Sequence, residues 1–140
     1  MDIKETIDKS YHIWFGMNSV YENWAKKQHL TNNSLMTLYV ISNLGEETTP
    51  KQIIERLQLP KQTVNSMLNT LEKKGYLYRE QDAQNKRQKM VKLTESGKNF
   101  TDKVLLALYQ FEYQAYAQLT AEERKMLIKI NEKLLDHLTI

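Results

Sequence analysis

The sequence predicts a mainly α-helical fold with one small β-hairpin, an α+β chain whose long terminal helices flank a middle of short elements. Three observations carry this expectation. Apolar residues recur at helical spacing through both ends of the chain. Prolines and glycines bracket short helices in the middle, Pro placed to start them and Gly to end them. Beyond Gly75 the period shortens towards two, as a half-buried strand requires.

Taken in order, the first helix (2–28) is marked by Ile3, Ile7, Trp14, Met17, Tyr21 and Trp24 at steps of three, four or seven. At that length it runs ~40 Å, longer than a small domain is wide. Asn32 or Asn33 is placed to cap a second helix carrying Leu35, Met36, Tyr39, Val40 and Leu44, with Gly45 at its end. Thr49 as N-cap, Pro50 at the first helical position and Gln52 behind it open a short third helix through Ile53, Ile54 and Leu57.

Only Gln58 and Leu59 separate that helix from Pro60, which opens a fourth with Val64, Met67, Leu68 and Leu71 inward and Glu72, Lys73 and Lys74 before Gly75. Residues 76–80 and 89–93 read as strands, with Val91 and Leu93 alternating against Lys92, joined by the polar, basic stretch 81–88. Thr94 caps a fifth helix reaching about Gln118, and Thr120 with Glu123 forms a capping box for a sixth ending near Leu138. The fifth helix carries two apolar stripes, Phe100, Val104, Leu108, Phe111 and Ala115 on one face and Leu106, Tyr109, Tyr113 and Tyr116 on its neighbour. A helix apolar on two sides is buried between layers, and a second subunit is the economical cover for apolar helices at both ends of so short a chain.

Composition narrows the function. At 140 residues, 41% hydrophobic and 26% charged, the chain is the size of one ordered domain with a real core. The absence of cysteine excludes disulfide scaffolds, thiolate zinc sites and thiol redox sensing. The first nine residues hold three acids and two lysines with no apolar leader, and no segment approaches ~18 consecutive apolar residues, so a cytoplasmic protein with no membrane association is expected. The net charge is +3, but its distribution says more: residues 31–93 hold ten Lys and Arg against six Asp and Glu, while the remainder holds ten against eleven. The middle of the chain alone is basic, as expected of the part that faces a polyanion.

A short helix, a two-residue link, a second helix ending in Lys-Lys-Gly and a hairpin with a basic tip follow the order of a winged helix-turn-helix. With Val64, Leu68 and Leu71 buried, the second of these helices turns Lys61, Gln62, Thr63, Asn65, Ser66, Asn69 and Thr70 outward, short polar groups suited to base edges and phosphates. A merely solvated face is the alternative, but such faces favour Glu and Lys. Asn, Ser and Thr are poor helix formers that bring no stability there. In the hairpin tip Asp82, Asn85, Lys86, Arg87 and Lys89 crowd a loop suited to a minor groove.

Leu59-Pro60-Lys61-Gln62-Thr63-Val64-Asn65, Leu71-Glu72-Lys73-Lys74-Gly75-Tyr76, the tip from Asp82 to Arg87 and Leu93-Thr94-Glu95-Ser96-Gly97 together resemble the MarR family of bacterial winged helix-turn-helix regulators. The resemblance covers essentially the whole chain. It implies a dimerisation helix over 1–30, a DNA-binding lobe over 31–94 and C-terminal helices over 95–140 that complete the dimerisation region. It implies a homodimer that sets two recognition helices in successive major grooves of a pseudo-palindromic operator, with half-sites ~34 Å apart. It also implies repression relieved by a small-molecule effector.

The sequence departs from that family in two places. Asp82-Ala83-Gln84-Asn85-Lys86-Arg87 stands where the family commonly has Asp-x-Arg-Asp-x-Arg, so Asp82 and Arg87 alone carry over. Ser66 stands where many members have Arg, which leaves base readout to Gln62, Thr63 and Asn65.

Ile3, Ile7, Leu127, Ile130, Leu134 and Leu138 are the candidate dimer contacts. Tyr11, Trp14, Phe15, Tyr39, Tyr109 and Tyr113 are candidates for an effector pocket of the kind that takes small aromatic or phenolic acids, although aromatics at helical spacing more often serve a core or interface. His12, His29 and His137 lie on different helices at no ligand spacing, so no metal is expected, and no cofactor. No P-loop, His-Glu-x-x-His or nucleophile elbow occurs, so no enzyme activity is expected. The alternative function is a protein-interaction module that keeps the winged-helix fold without binding DNA.

Overall fold

The computed structural model describes all residues, Met1–Ile140. Six helices and one hairpin follow in the order α1 (Ile3–Lys27), α2 (Asn32–Leu44), a 3-10 turn (Gly45–Glu47), α3 (Pro50–Leu57), α4 (Lys61–Lys73), β1 (Leu77–Gln81), β2 (Lys89–Leu93), α5 (Glu95–Tyr116) and α6 (Ala121–Leu138). No helix is long and apolar enough to cross a membrane. The mainly α fold with a small hairpin and a winged helix-turn-helix is as the sequence predicts. The chain forms two compact units, Met1–Asp102 and Lys103–Ile140.

The first unit owes its shape to α2, which packs on α1, α3 and α4. Leu35, Leu38, Ile53, Val64, Leu68, Leu71, Leu77 and Val91 are completely or almost completely buried, each contributing about 1.5–3 kcal/mol through loss of apolar surface from water. On α2 the burial differs from the expected set: Leu38 and Ile41 are inside while Tyr39 is exposed. The N-cap is Thr31 rather than Asn32 or Asn33; its hydroxyl accepts the Ser34 N–H, so the helix begins one residue early. Pro60 likewise stands just outside α4, its carbonyl accepting the Val64 N–H.

β1 and β2 pair antiparallel from Leu77 opposite Leu93 to Gln81 opposite Lys89. Tyr76 falls outside the strand, its N–H donated to the Leu71 carbonyl in the turn that closes α4, while its ring stacks on Phe100 at 4.4 Å. A third extended piece, unmarked by any alternation, joins this sheet at one residue: the Thr48 carbonyl accepts the Val91 N–H at 2.7 Å.

The start of α5 is fixed by close approach. Thr94 donates its hydroxyl to the Gly75 carbonyl at 2.6 Å while accepting the Gly97 N–H. A Cβ on Gly97 would lie 1.7 Å from the Tyr76 carbonyl oxygen, so only glycine fits. Gly75, at φ 79°, makes the left-handed turn out of α4.

In the second unit α6 opens on the expected capping box, Thr120 accepting the Glu123 N–H and Glu123 accepting the Thr120 N–H. The Thr120 N–H, and after it the Thr120 side chain, hold the Glu123 carboxyl below its ordinary value. Every residue of α6 is exposed, including Leu127, Ile130, Leu134 and Leu138.

Candidate nucleic-acid interface

Three buried side chains on one face of α4, Val64, Leu68 and Leu71, fix the rotation of the helix about its axis. The opposite face is thereby presented: Lys61, Gln62, Ser66, Asn69 and Thr70 are exposed, Thr63 and Asn65 half-buried. The approach to α4 is set by α3, whose capping box joins Thr49 and Gln52 by two reciprocal hydrogen bonds. Gln58 then turns the chain in a left-handed conformation, φ 52° and ψ 42°. Two residues thus suffice for the link because one of them takes a backbone state that other residues also reach only at some cost.

The hairpin projects from the same lobe. Val91 anchors it in the core, and the Thr48 bridge ties it to the chain that enters α3. Its tip is closed by its own side chains: the Asp82 carboxylate accepts the Gln84 N–H at 2.9 Å, the Asn85 Oδ1 accepts the Arg87 N–H at 3.1 Å, and the Gln81 side-chain amide donates to the Lys86 carbonyl. Asn85, Lys86, Arg87 and Lys89 are left exposed. Farther down the hairpin the Lys92 ammonium lies 2.7 Å from Glu80, whose hydrogen bond raises it above its ordinary value.

These elements converge. An open cleft of about 430 Å³ is lined by Thr49, Pro50 and Lys51 at the start of α3, Ile54, Lys61 and Asn65, and Asn85, Arg87, Gln88 and Lys89 of the hairpin. Lys51, Lys61, Arg87 and Lys89 bring four positive charges to it and no carboxylate lines it. Such a surface attracts phosphates, and it runs beside polar groups able to read base edges.

Of the residues expected at the interface, Lys61, Asn65, Asn85, Arg87 and Lys89 line this cleft. Gln62, Thr63, Ser66 and Asn69 lie on α4 and Lys86 on the tip without lining it. Lys51 is an addition. A lysine in the first turn opposes the helix dipole, a local cost that is the signal sequence reading passed over.

Arg79 is a second addition. On α4, Lys61, Asn65, Asn69 and Glu72 follow at steps of four, four and three, so they form one stripe. At its end Arg79 of β1 donates from Nη2 to the Asn69 Oδ1 at 2.9 Å, and its Nε stands 3.7 Å from a Glu72 carboxylate oxygen. Arg79 shares a strand face with buried Leu77, and a charge in register with a core residue was the available clue.

The aromatic candidates lie in two groups. Tyr11, Trp14 and Phe15 stack along α1 at centroid separations of 6.0–6.3 Å, all exposed. On α5, Tyr109 and Tyr113 are 5.8 Å apart and, with Gln110 and Gln114, line an open cleft of about 400 Å³. Tyr39 is exposed on α2.

The sequence model of the MarR family matches residues 30–88. The HTH-type transcriptional regulator PapX of Escherichia coli is 29% identical over 108 residues, covering 76% of this chain and 66% of its own length. This chain therefore spans just under two thirds of that relative. SarZ of Staphylococcus epidermidis, also an HTH-type transcriptional regulator, is 30% identical over 109 residues, covering 78% of this chain and 72% of its own. Among solved structures, the S. aureus MepR–DNA complex superposes with a TM-score of 0.80 at 27% identity, over 92% of this chain and 93% of that one.

Proposed function

The chain belongs to the MarR family, and we propose that it is a sequence-specific, double-stranded DNA-binding transcription regulator, a repressor released by a small aromatic or phenolic effector. The convergence of Lys51, Lys61, Arg87 and Lys89 on one acid-free cleft beside α4 carries this reading. The likeness to MepR, solved with DNA, supports it.

In this reading α4 enters the major groove, where Gln62, Thr63 and Asn65 meet base edges and Lys61, Ser66 and Asn69 complete the contact. The tip sets Asn85, Lys86, Arg87 and Lys89 at the adjacent backbone or minor groove. Two copies associate through 1–30 and 95–140, around the lobe 31–94. Ile3, Ile7, Leu127, Ile130, Leu134 and Leu138, all exposed in the single chain, are apolar surface that a second copy would remove from water. The dimer acts in the cytoplasm on a pseudo-palindromic operator. The candidate effector-binding rings are Tyr11, Trp14, Phe15 and Tyr39 in one unit and Tyr109 and Tyr113 in the other, the tyrosine hydroxyls able to orient a phenol.

Selection of bound sequences from a random duplex pool at two salt concentrations tests this reading. An inverted repeat with half-sites about one turn (~34 Å) apart is the expected product, and addition of hydroxybenzoates should release it. No enrichment at either salt would favour the protein-interaction module instead.

A further inference from the structure

We infer that Arg79 is a positioning residue for DNA recognition, acting without touching DNA by cancelling the charge of Glu72 and fixing the amide of Asn69. The inference rests on the DNA-binding reading above and adds to it a part assigned to no residue so far.

Glu72 presents a difficulty that the geometry resolves. It continues the stripe of Lys61, Asn65 and Asn69, so its carboxylate stands on the face turned towards a polyanion, where a negative charge repels every sequence alike. Its side chain is 44% exposed, and Arg79 is the cation beside it, 3.7 Å away and itself only 25% exposed. The pair is therefore near neutral from outside. A guanidinium suits the task because its planar fork serves two partners at once: Nη2 holds Asn69 while Nε faces Glu72. That Nε is buried and makes no hydrogen bond, so the carboxylate is its compensation for burial.

The contact with Asn69 has its own consequence. Bidentate reading of adenine by asparagine needs the amide oxygen to accept from N6 and the amide nitrogen to donate to N7. With one lone pair of Oδ1 engaged by Arg79, simultaneous use of the oxygen and nitrogen on one adenine is restricted, and the NH2, which only donates, is left outside this contact. Asn69 is thus directed at acceptors, phosphate oxygens or base acceptors, and the wing strand sets that choice from below the helix.

Three variants, measured on the selected duplex across a salt series with thermal melting alongside, test the inference. Arg79→Met should weaken binding about tenfold and lower the salt slope by about 0.9, the value of one phosphate contact. Glu72→Gln, which leaves the guanidinium unmatched, should raise the slope by about the same amount. The double variant restores the net charge and should return the slope to that of the unaltered protein.

A double variant as weak and as flat as Arg79→Met would make Arg79 a structural residue and overturn the inference. If Arg79→Met fails to fold, Glu72→Gln alone decides, since an unchanged slope there means the Glu72 charge is not felt at the DNA. Absence of salt-dependent binding by the unaltered protein would instead reject the DNA-binding reading itself.

Discussion

The lobe around α2 and the C-terminal helix α6 both carry rows of leucine and isoleucine, yet one is closed and the other open. In the lobe, Leu35, Leu38, Ile53, Leu68 and Leu71 are fully covered by neighbouring elements of the same chain. In α6, Leu127, Ile130, Leu134 and Leu138 are 37–74% exposed. The first region carries the whole instruction for its own packing. The second carries half of one, a face whose complement in the proposed function is another copy of itself. Substitutions in the lobe should therefore register in stability, and substitutions on α6 in assembly.

The sharpest break of the lobe is Gly97→Ala. Its Cβ would meet the Tyr76 carbonyl oxygen at 1.7 Å, a backbone atom that moves only with the start of α5. We expect a loss on the order of 4 kcal/mol, measured by chemical denaturation. A variant with unchanged stability would mean that the Gly75–Thr94 junction is loose.

On the open side, Leu134→Asp places a charge on the proposed interface and should raise the dimer dissociation constant at least ~100-fold, about 3 kcal/mol. Sedimentation equilibrium reads this, with circular dichroism of the helices unchanged. A dimer of full strength would show that α6 is not its seam.

Within the lobe, Gln62→Ala and Arg87→Ala separate reading from holding. Gln62→Ala should cost about 1 to 3 kcal/mol on the preferred sequence and relax discrimination. Arg87→Ala should weaken binding to most sequences and flatten the salt slope. Equal loss on every duplex for Gln62→Ala would remove it from base readout.

The smallest effect concerns α6 again. Glu123 is held below its ordinary value of 4.5 by its bonds to Thr120. Its contribution is complete above the unfolded value and vanishes as pH falls through the lower folded one. Helicity followed by circular dichroism below about pH 4.5 should show fraying of the α6 N-terminus that Glu123→Gln lacks; identical titrations would mean that the capping box is not formed in solution.

Most of the fold was legible in the sequence because its elements end at residues with few conformational options. Thr49-Pro50 and Thr120 with Glu123 open helices, and Gly45 and Gly75 close them, as expected. The polar face of α4 was legible because the inward trio Val64, Leu68 and Leu71 fixes what faces out.

Most of what escaped depends on contacts remote in sequence. The Thr48–Val91 bridge involves one residue, too few for any period to reveal. Thr31 displaced Asn32 and Asn33 as cap among three residues of nearly equal capping ability. Arg79 lies ten residues from Asn69, and only the return of β1 along α4 makes them neighbours. Lys51 joins the cleft for the same reason, through a hairpin that begins 26 residues later at Leu77.

The hairpin tip has a bearing on how such a molecule changes over generations. Its hydrogen bonds, from Gln81 to Lys86 and Gln88, from the Gln84 N–H to Asp82, and from the Arg87 N–H to Asn85, all close within 81–88. None consults the core. The tip is in that sense a cassette clipped onto a pair of strands, and a lineage can exchange Gln84, Asn85 or Lys86 for other residues while the lobe beneath keeps folding as before. A regulator built this way can acquire new binding preferences through changes in one short loop.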